Sequence, residues 1–216
     1  MIRVYLVDDH AVLRDGLRFL LEAQEDITVI GDTGTGREAL TEVQKLKPDV
    51  VIMDVAMPDL NGIEATAQIL DTNQETRVII LSMQGTAEHV FRALQAGAQG
   101  YLLKESAGRV LVDAVRSVHS GGRYLSTGIT ETLVEDYLVQ RTTAPAHSPL
   151  ERLSRREREV LQLVVEGRSS AEIGEMLALS PKTIDTYRSR LMQKLEIGDV
   201  PSLVKFAIQH GIISLE

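Results

Sequence analysis

Five short runs of branched aliphatic residues, each followed by a helical pattern, constrain this chain more than any other feature. The runs are Val4–Val7, Ile27–Ile30, Val50–Met53, Val78–Leu81 and Tyr101–Leu103. They are continuously apolar rather than alternating, so both faces of each strand must be covered. Helical spacing recurs between and after them, near Val12–Leu21, Arg37–Lys45, Ile63–Leu70, Ala87–Ala96 and Gly108–Val118. Strands buried on both faces and separated by helices form a parallel sheet. Five such units in ~120 residues predict an α/β domain with a doubly wound five-stranded parallel sheet, its site at the carboxyl ends of the strands.

Ile129, Leu133, Val134, Tyr137 and Leu138 predict one more amphipathic helix. Thr142–Pro149, with Thr-Thr-Ala-Pro and Ser-Pro, reads as a linker. From Leu153 onward every pattern is helical. The expected division is a first domain over 1–122, a partly helical linker over 123–149 and a small all-α domain over 150–216.

Composition removes several chemistries. The chain has 216 residues and no cysteine, which excludes disulfides, thiolate zinc sites, iron–sulfur clusters and cysteine nucleophiles. No apolar run approaches the ~20 residues of a membrane helix. Met1–Arg3 leads straight into a strand-like run, and a cytoplasmic protein without membrane contact is expected. Aromatics are 4% and tryptophan is absent, so stacking on bases or sugars is not its main chemistry. The net charge is −8, but residues 1–140 hold 12 basic against 21 acidic side chains, and residues 141–216 hold 11 against 10. That asymmetry suits an acidic domain joined to one that meets a polyanion.

The first constellation lies at predicted strand ends. Asp8 and Asp9 end the first strand, Asp54 the third, Ser82 the fourth and Lys104 the fifth. Singly, each has a plain structural use: Asp9 as an N-cap near Ala11, Asp54 held by turn amides, Ser82 as a cap, Lys104 as a surface charge. Together, three carboxylates in one crevice need a positive partner. Oxygen-only ligands favour Mg²⁺. A carboxylate, a lysine, a hydroxyl and Mg²⁺ suit phosphoryl transfer, with the carboxylate attacking and the cations holding the phosphoryl oxygens. The histidines, His10, His89, His119, His147 and His210, show no ligand-like spacing and read as incidental.

Val7-Asp8-Asp9, Asp54-x-x-Met57-Pro58-x-x-x-Gly62, Ser82 and Tyr101-Leu102-Leu103-Lys104 resemble the receiver domain of bacterial two-component response regulators, a flavodoxin-like fold. The resemblance covers about residues 1–120. It implies that Asp54 is the phosphoacceptor and that Asp9, Asp54 and the backbone carbonyl of Ala56 ligate Mg²⁺, with Asp8 acting mainly through water. It further implies that Lys104 pairs with the acyl phosphate, that Ser82 swings toward it and that Tyr101 changes rotamer with it. Many receivers have a proline after the lysine, giving a cis peptide. Glu105 stands there in this chain, and a cis bond without proline costs ~3–4 kcal/mol, which leaves that geometry open.

The second constellation is helical. Ser154 and Glu157 form a capping box ahead of Val160, Leu161, Val164 and Val165. Ser170 reads as the cap of a helix over Ala171–Ala178. Leu179-Ser180-Pro181 is a short turn, with Ser180 as N-cap and Pro181 at the first helical position. The next helix sets Ile184, Tyr187, Leu191 and Leu195 on one face and Lys182, Asp185, Thr186, Ser189, Arg190 and Gln193 on the other. This is a helix-turn-helix geometry, though a plain helical bundle with a charged surface has the same outline.

Leu153-Ser154-x-Arg156-Glu157-x-Glu159-Val160-Leu161, Leu179-Ser180-x-Lys182-Thr183-Ile184 and Arg188-x-x-Leu191-Met192-x-Lys194-Leu195 resemble the LuxR-type DNA-binding domain. That resemblance implies phosphate contacts from Lys182, Thr183, Arg188 and Lys194. It places Asp185, Thr186 and Ser189 against base edges, with Arg190 on the same surface. Asp185 is acidic where many relatives carry a neutral or basic group.

The pairing of the two domains resembles NarL/FixJ-type response regulators along nearly the whole chain. It implies a transcription factor that takes a phosphoryl group from a sensor histidine kinase and binds double-stranded DNA as a homodimer when phosphorylated. Its only catalysis would be its own Mg²⁺-dependent phosphoryl transfer and dephosphorylation. A phosphohydrolase of the haloacid dehalogenase type also uses an aspartate nucleophile, but needs a second aspartate two residues later, where this chain has Ala56. A DNA-binding protein with a purely scaffolding first domain would not need the complete acceptor set.

Overall fold

The continuous apolar runs become strands because each has a helical layer on both sides. The structure, a computed structural model, describes residues 1–140 and 149–213. The chain divides into two compact units, Met1–Ala144 and Pro145–Glu216. The linker expected over Thr142–Pro149 lies, except for Pro149, outside the described residues.

In the first unit the strands are β1 (Ile2–Val7), β2 (Ile27–Thr33), β3 (Val50–Asp54), β4 (Arg77–Ser82), β5 (Gly100–Leu103) and β6 (Tyr124–Leu125). They form one parallel sheet in the order β2-β1-β3-β4-β5-β6. The order reverses between β1 and β3, the switch point of a doubly wound sheet, where the strand ends open a crevice. The sheet has six strands, not the five expected. β6 pairs Gly100 with Tyr124 and Tyr101 with Leu125, too short a run to show any hydrophobic period.

The helices are α1 (Ala11–Glu22), α2 (Gly36–Leu46), α3 (Gly62–Thr72), α4 (Ala87–Gln95), α5 (Lys104–His119) and α6 (Thr127–Gln140). Strand side chains alternate between two cores. Tyr5, Val7, Val51, Met53, Ile80 and Tyr101 join Ala39, Ile69 and Ala93 on one face. Val4, Leu6, Ile52, Leu81 and Leu102 join Leu21, Leu111 and Val115 on the other. Of the α6 residues, Ile129 is fully buried in the first core and Leu133 packs against it, while Val134, Tyr137 and Leu138 are exposed.

Two local details set the crevice. Asn61 caps α3 by accepting from the amides of Ile63 and Glu64 at 3.1 and 3.0 Å. At Gly62 a Cβ would sit 1.8 Å from the Asp54 carbonyl oxygen, so only glycine lets α3 start this close to the end of β3. The N-cap position of α1 is His10, without a side-chain cap bond, and not Asp9. No peptide among the described residues is cis, Lys104–Glu105 included.

The second unit begins with a 3₁₀ turn (Pro149–Arg152), followed by α7 (Arg155–Val165), α8 (Ser170–Leu177), α9 (Pro181–Leu195) and α10 (Val200–Gln209). Its core gathers Leu153, Val160, Leu161, Ile173, Ile184, Leu191 and Leu203. Capping boxes start α7 at Ser154/Glu157 and α8 at Ser169/Glu172, so Ser169, one residue earlier than expected, caps α8. A Ser-Ser pair offers two hydroxyls, and only Ser169 has a glutamate three residues on. The turn between α8 and α9 passes through Ala178 in the left-handed region, φ 52°. Among the described residues, no helix is long and apolar enough to cross a membrane.

Candidate functional site

The parallel order brings the end of β1 beside the end of β3, which sets Asp8 and Asp54 together; both are buried. Lys104, opening α5, places its Nζ 2.8 Å from Asp54 Oδ2 and 2.8 Å from Asp8 Oδ2. Asp54 Oδ1 accepts from the Ala56 amide at 3.4 Å. Burial, and then the Asp8 charge, push the Asp54 carboxyl up to about 6, against the opposing pull of Lys104. Burial alone would lower the Lys104 ammonium, but its bonds to Asp54 and Asp8 outweigh it and hold the group above its usual value.

Three carboxylates face one ammonium, so the crevice keeps an excess of negative charge. Lys104 answers Asp8 Oδ2 and Asp54 Oδ2, and leaves Asp9 to the His10 ring. Carboxylates gathered in excess in a buried crevice are costly unless a further cation meets them. Hard oxygen donors of this kind fit Mg²⁺, with Asp8, Asp9 and Asp54 as its holders.

The cluster has a fourth member that sequence reading discarded. His10 Nδ1 lies 2.7 Å from Asp9 Oδ1 and 3.2 Å from Asp8 Oδ1. Its spacing to the other histidines carried no signal; its adjacency to two aspartates did.

Ser82 ends β4, one residue beyond Leu81, which pairs with Asp54 in register. Its Oγ accepts from the Gln84 amide at 3.0 Å. Tyr101 is fully buried, and burial raises its phenol to about 12. Its Oη donates to the Gln84 carbonyl at 2.6 Å. At Gly85, a Cβ would meet Ile129 Cδ1 at 2.9 Å and Leu103 Cδ2 at 3.1 Å, so this loop is pressed against α6 and β5.

In the second unit, α9 exposes Lys182, Asp185, Thr186, Ser189 and Arg190, with Thr183 and Arg188 partly buried. A shallow concavity of 360 Å³ is lined by Ser180, Lys182, Thr183, Thr186, Tyr187 and Arg190. Three side chains are already engaged. Ser170 Oγ donates to Asp185 Oδ1 at 2.6 Å and accepts from Arg188 at 3.2 Å, tying α8 to α9. Lys194 Nζ lies 2.6 Å from Oε2 of the buried Glu157, which also serves the α7 cap. Burial would raise the Glu157 carboxyl, but Lys194 and the Ser154 bonds hold it below its usual value.

Residues 4–116 match the response regulator receiver domain, and residues 151–207 match the bacterial regulatory proteins of the luxR family. The chain is 39% identical to the response regulator UvrY of Escherichia coli over 217 residues, covering all of this chain and 98% of that one. It is 36% identical to the oxygen regulatory protein NreC of Staphylococcus carnosus over 215 residues, covering 98% and 99%. Two structures of the response regulator RcsB on DNA, one of them two dimers on two parallel DNAs, superpose with TM-scores of 0.59. Each is 25% identical and covers 95% of this chain and 96% of that one.

Proposed function

The chain belongs to the two-component response regulators that join a receiver to a LuxR-type DNA-binding domain, and from that premise we propose that Asp54 is its phosphoacceptor. The observation that carries the reading is the Asp8–Lys104–Asp54 arrangement, with one ammonium bridging two buried carboxylates at 2.8 Å each.

An Asp54 oxygen attacks the phosphorus of a phosphohistidine on a sensor kinase. The new O–P bond forms as the P–N bond breaks, and its electron pair returns to the imidazole. Asp9, Asp54 and the Ala56 carbonyl, with Asp8 beside them, would hold Mg²⁺, which would supply charge neutralisation at the phosphoryl oxygens. Lys104 stands 2.8 Å from Asp54 Oδ2, where it can follow the new charge. Ser82 lies on the neighbouring strand end, where its hydroxyl reaches the phosphoryl group. Drawing Ser82 in pulls the Gln84 amide with it, and Gln84 is tied to Tyr101. The same loop presses on Ile129 of α6, and this contact gives the phosphorylation state a mechanical route into the segment that precedes the second unit.

On DNA, Lys182, Thr183, Arg188 and Arg190 meet phosphates, and Thr186 and Ser189 reach base edges. Asp185 reaches the bases only by giving up Ser170, and Lys194 supports Glu157 beside any phosphate contact. A homodimer pairs α10 through its partly exposed Val204 and Ile208, flanked by exposed Lys205 and Gln209. This reading places the protein in the cytoplasm and gives it no other catalytic activity.

Acetyl phosphate with Mg²⁺ should label the wild-type protein and not Asp54→Ala. The labelled protein should bind its selected DNA site more tightly and as two protomers. Equal labelling of Asp54→Ala removes the assignment, and one protomer per DNA at saturation removes the dimer.

A further inference from the structure

We propose that the groove between β2 and α2 binds a small primary alkylammonium. Glu38, Glu42 and the Tyr5 hydroxyl take its N–H donors, and Ile30 and Leu46 take its stem. The groove shares no lining residue with the acceptor crevice.

The groove holds about 530 Å³. It exists because β1 and β2 slip against each other. Val4 pairs with Val29 but Tyr5 with Gly31, so Ile30 is an extra residue and Gly31 lies beside the Tyr5 ring. A Cβ on Gly31 would sit 2.8 Å from Tyr5 Cε2 and 3.5 Å from Leu46 Cδ1, so a side chain here would fill the groove. Gly31 is not among the glycines with positive φ. What this position uses is the missing side chain, not a special backbone conformation.

Tyr5 supplies the observation that points to a ligand. It is only 2% exposed, and the little it shows faces the groove. Its hydroxyl has no hydrogen-bond partner among the described residues. A phenol this deeply buried usually has one. Burial, and then the charges of Glu42, Asp32 and Glu38, push it up to about 12, so it stays a neutral hydroxyl with a lone pair to offer.

The groove is lined by three carboxylates and no basic side chain. Asp32 is already held by Arg14 and Arg18. Glu38 accepts from the neutral Thr33 hydroxyl. Glu42 is paired at 2.7 Å with Lys45, whose side chain is 63% exposed, and an exposed pair of this kind is easily exchanged for a ligand cation. Two carboxylates and a phenol oxygen make three acceptors, the number an ammonium requires. Eight lining residues fall well short of the ~20–30 that a protein partner covers, so the occupant is a free small molecule.

The test is titration of the ¹⁵N-labelled full-length protein with n-pentylamine at neutral pH, followed by amide shifts. Gly31 and Glu42 should shift saturably. n-Pentanol, with the stem and no charge, and pentyltrimethylammonium, with the charge and no N–H, should bind at least tenfold more weakly. Glu42→Gln and Tyr5→Phe should each weaken pentylamine by about tenfold, the loss of one charge-assisted hydrogen bond. The urea midpoint of Tyr5→Phe should not fall, because the hydroxyl has no protein partner to lose. A wild type without saturable shifts, or one that binds pentanol or the trimethyl cation equally well, overturns the proposal. So do variants that bind like wild type, or a lowered midpoint for Tyr5→Phe. A lysine-containing tripeptide that binds at least tenfold tighter than pentylamine overturns the small-molecule occupant in favour of a partner protein.

Discussion

Tyr101 donates its phenolic hydrogen to the backbone carbonyl of Gln84 across 2.6 Å, which holds the β4–α4 loop against β5. The Gln84 amide in turn donates to Ser82 Oγ at 3.0 Å, so one residue connects the strand-end hydroxyl to the buried ring. Tyr101→Phe keeps the ring volume and deletes only the hydrogen bond. Labelling of Asp54 by acetyl phosphate should be unchanged. The gain in DNA affinity on phosphorylation should shrink, and stability should fall by about 1 kcal/mol, because a part-buried hydrogen bond is lost. Affinity measured with and without labelling checks this, and an undiminished gain excludes the connection.

Gly62 sets the distance between α3 and the acceptor strand. A Cβ there falls 1.8 Å from the Asp54 carbonyl oxygen, a backbone atom that cannot swing away. Gly62→Ala should cost at least ~2 kcal/mol and slow labelling, because Asp54 must move with its own carbonyl. Gly16, inside α1 with open space at its Cβ, is the opposite case, and Gly16→Ala should stabilise by about 0.5–1 kcal/mol. Urea midpoints of the two variants should therefore shift in opposite directions.

The acceptor carries a pH signature. The Asp54 carboxyl is raised from 3.8 to about 6 by burial and by Asp8. The folded state therefore holds this proton more firmly than the unfolded chain. Its contribution is fully present below about pH 4 and lost as pH rises through 6, on the order of 3 kcal/mol across that window. In EDTA, Asp54→Asn should be more stable than wild type at pH 7.5, and the difference should shrink toward pH 4.5. Added Mg²⁺ should restore wild type at pH 7.5. A difference independent of pH would show that Asp54 titrates normally.

Two basic residues of α9 should separate by assay. Lys194 neutralises the buried Glu157, so Lys194→Ala leaves a carboxylate that burial disfavours. Stability should drop by roughly 1–3 kcal/mol, with a loss of DNA binding that follows the loss of folded protein. Arg190 is exposed on the wall of the concavity. Arg190→Ala should leave the melting temperature within a degree or two and flatten the salt dependence of DNA binding by about one counterion. Equal melting temperatures for the two variants would place Lys194 on the DNA instead.

Much of this protein was legible as sequence because its signals are local. Strands covered on both faces must be apolar throughout, so β1, β3 and β4 announce themselves, and the residues at their carboxyl ends, Asp8, Asp54 and Ser82, follow from the parallel order. Helix starts such as Ser154/Glu157 and Ser180/Pro181 are written within four residues. The rest depended on pairings between distant segments. β6 is two residues long and exists because Gly100 and Tyr101 offer it an edge. Ser170, Asp185 and Arg188 meet through the packing of α8 on α9, and Lys194 finds Glu157 across 37 residues. His10 became part of the acidic crevice only when the turn after β1 aimed its ring back at Asp8 and Asp9. Periodicity reports which face of an element is buried. Which polar group a side chain meets there is decided by the tertiary arrangement, because a charge brought into a crevice must be answered by whatever the fold has placed within ~3 Å.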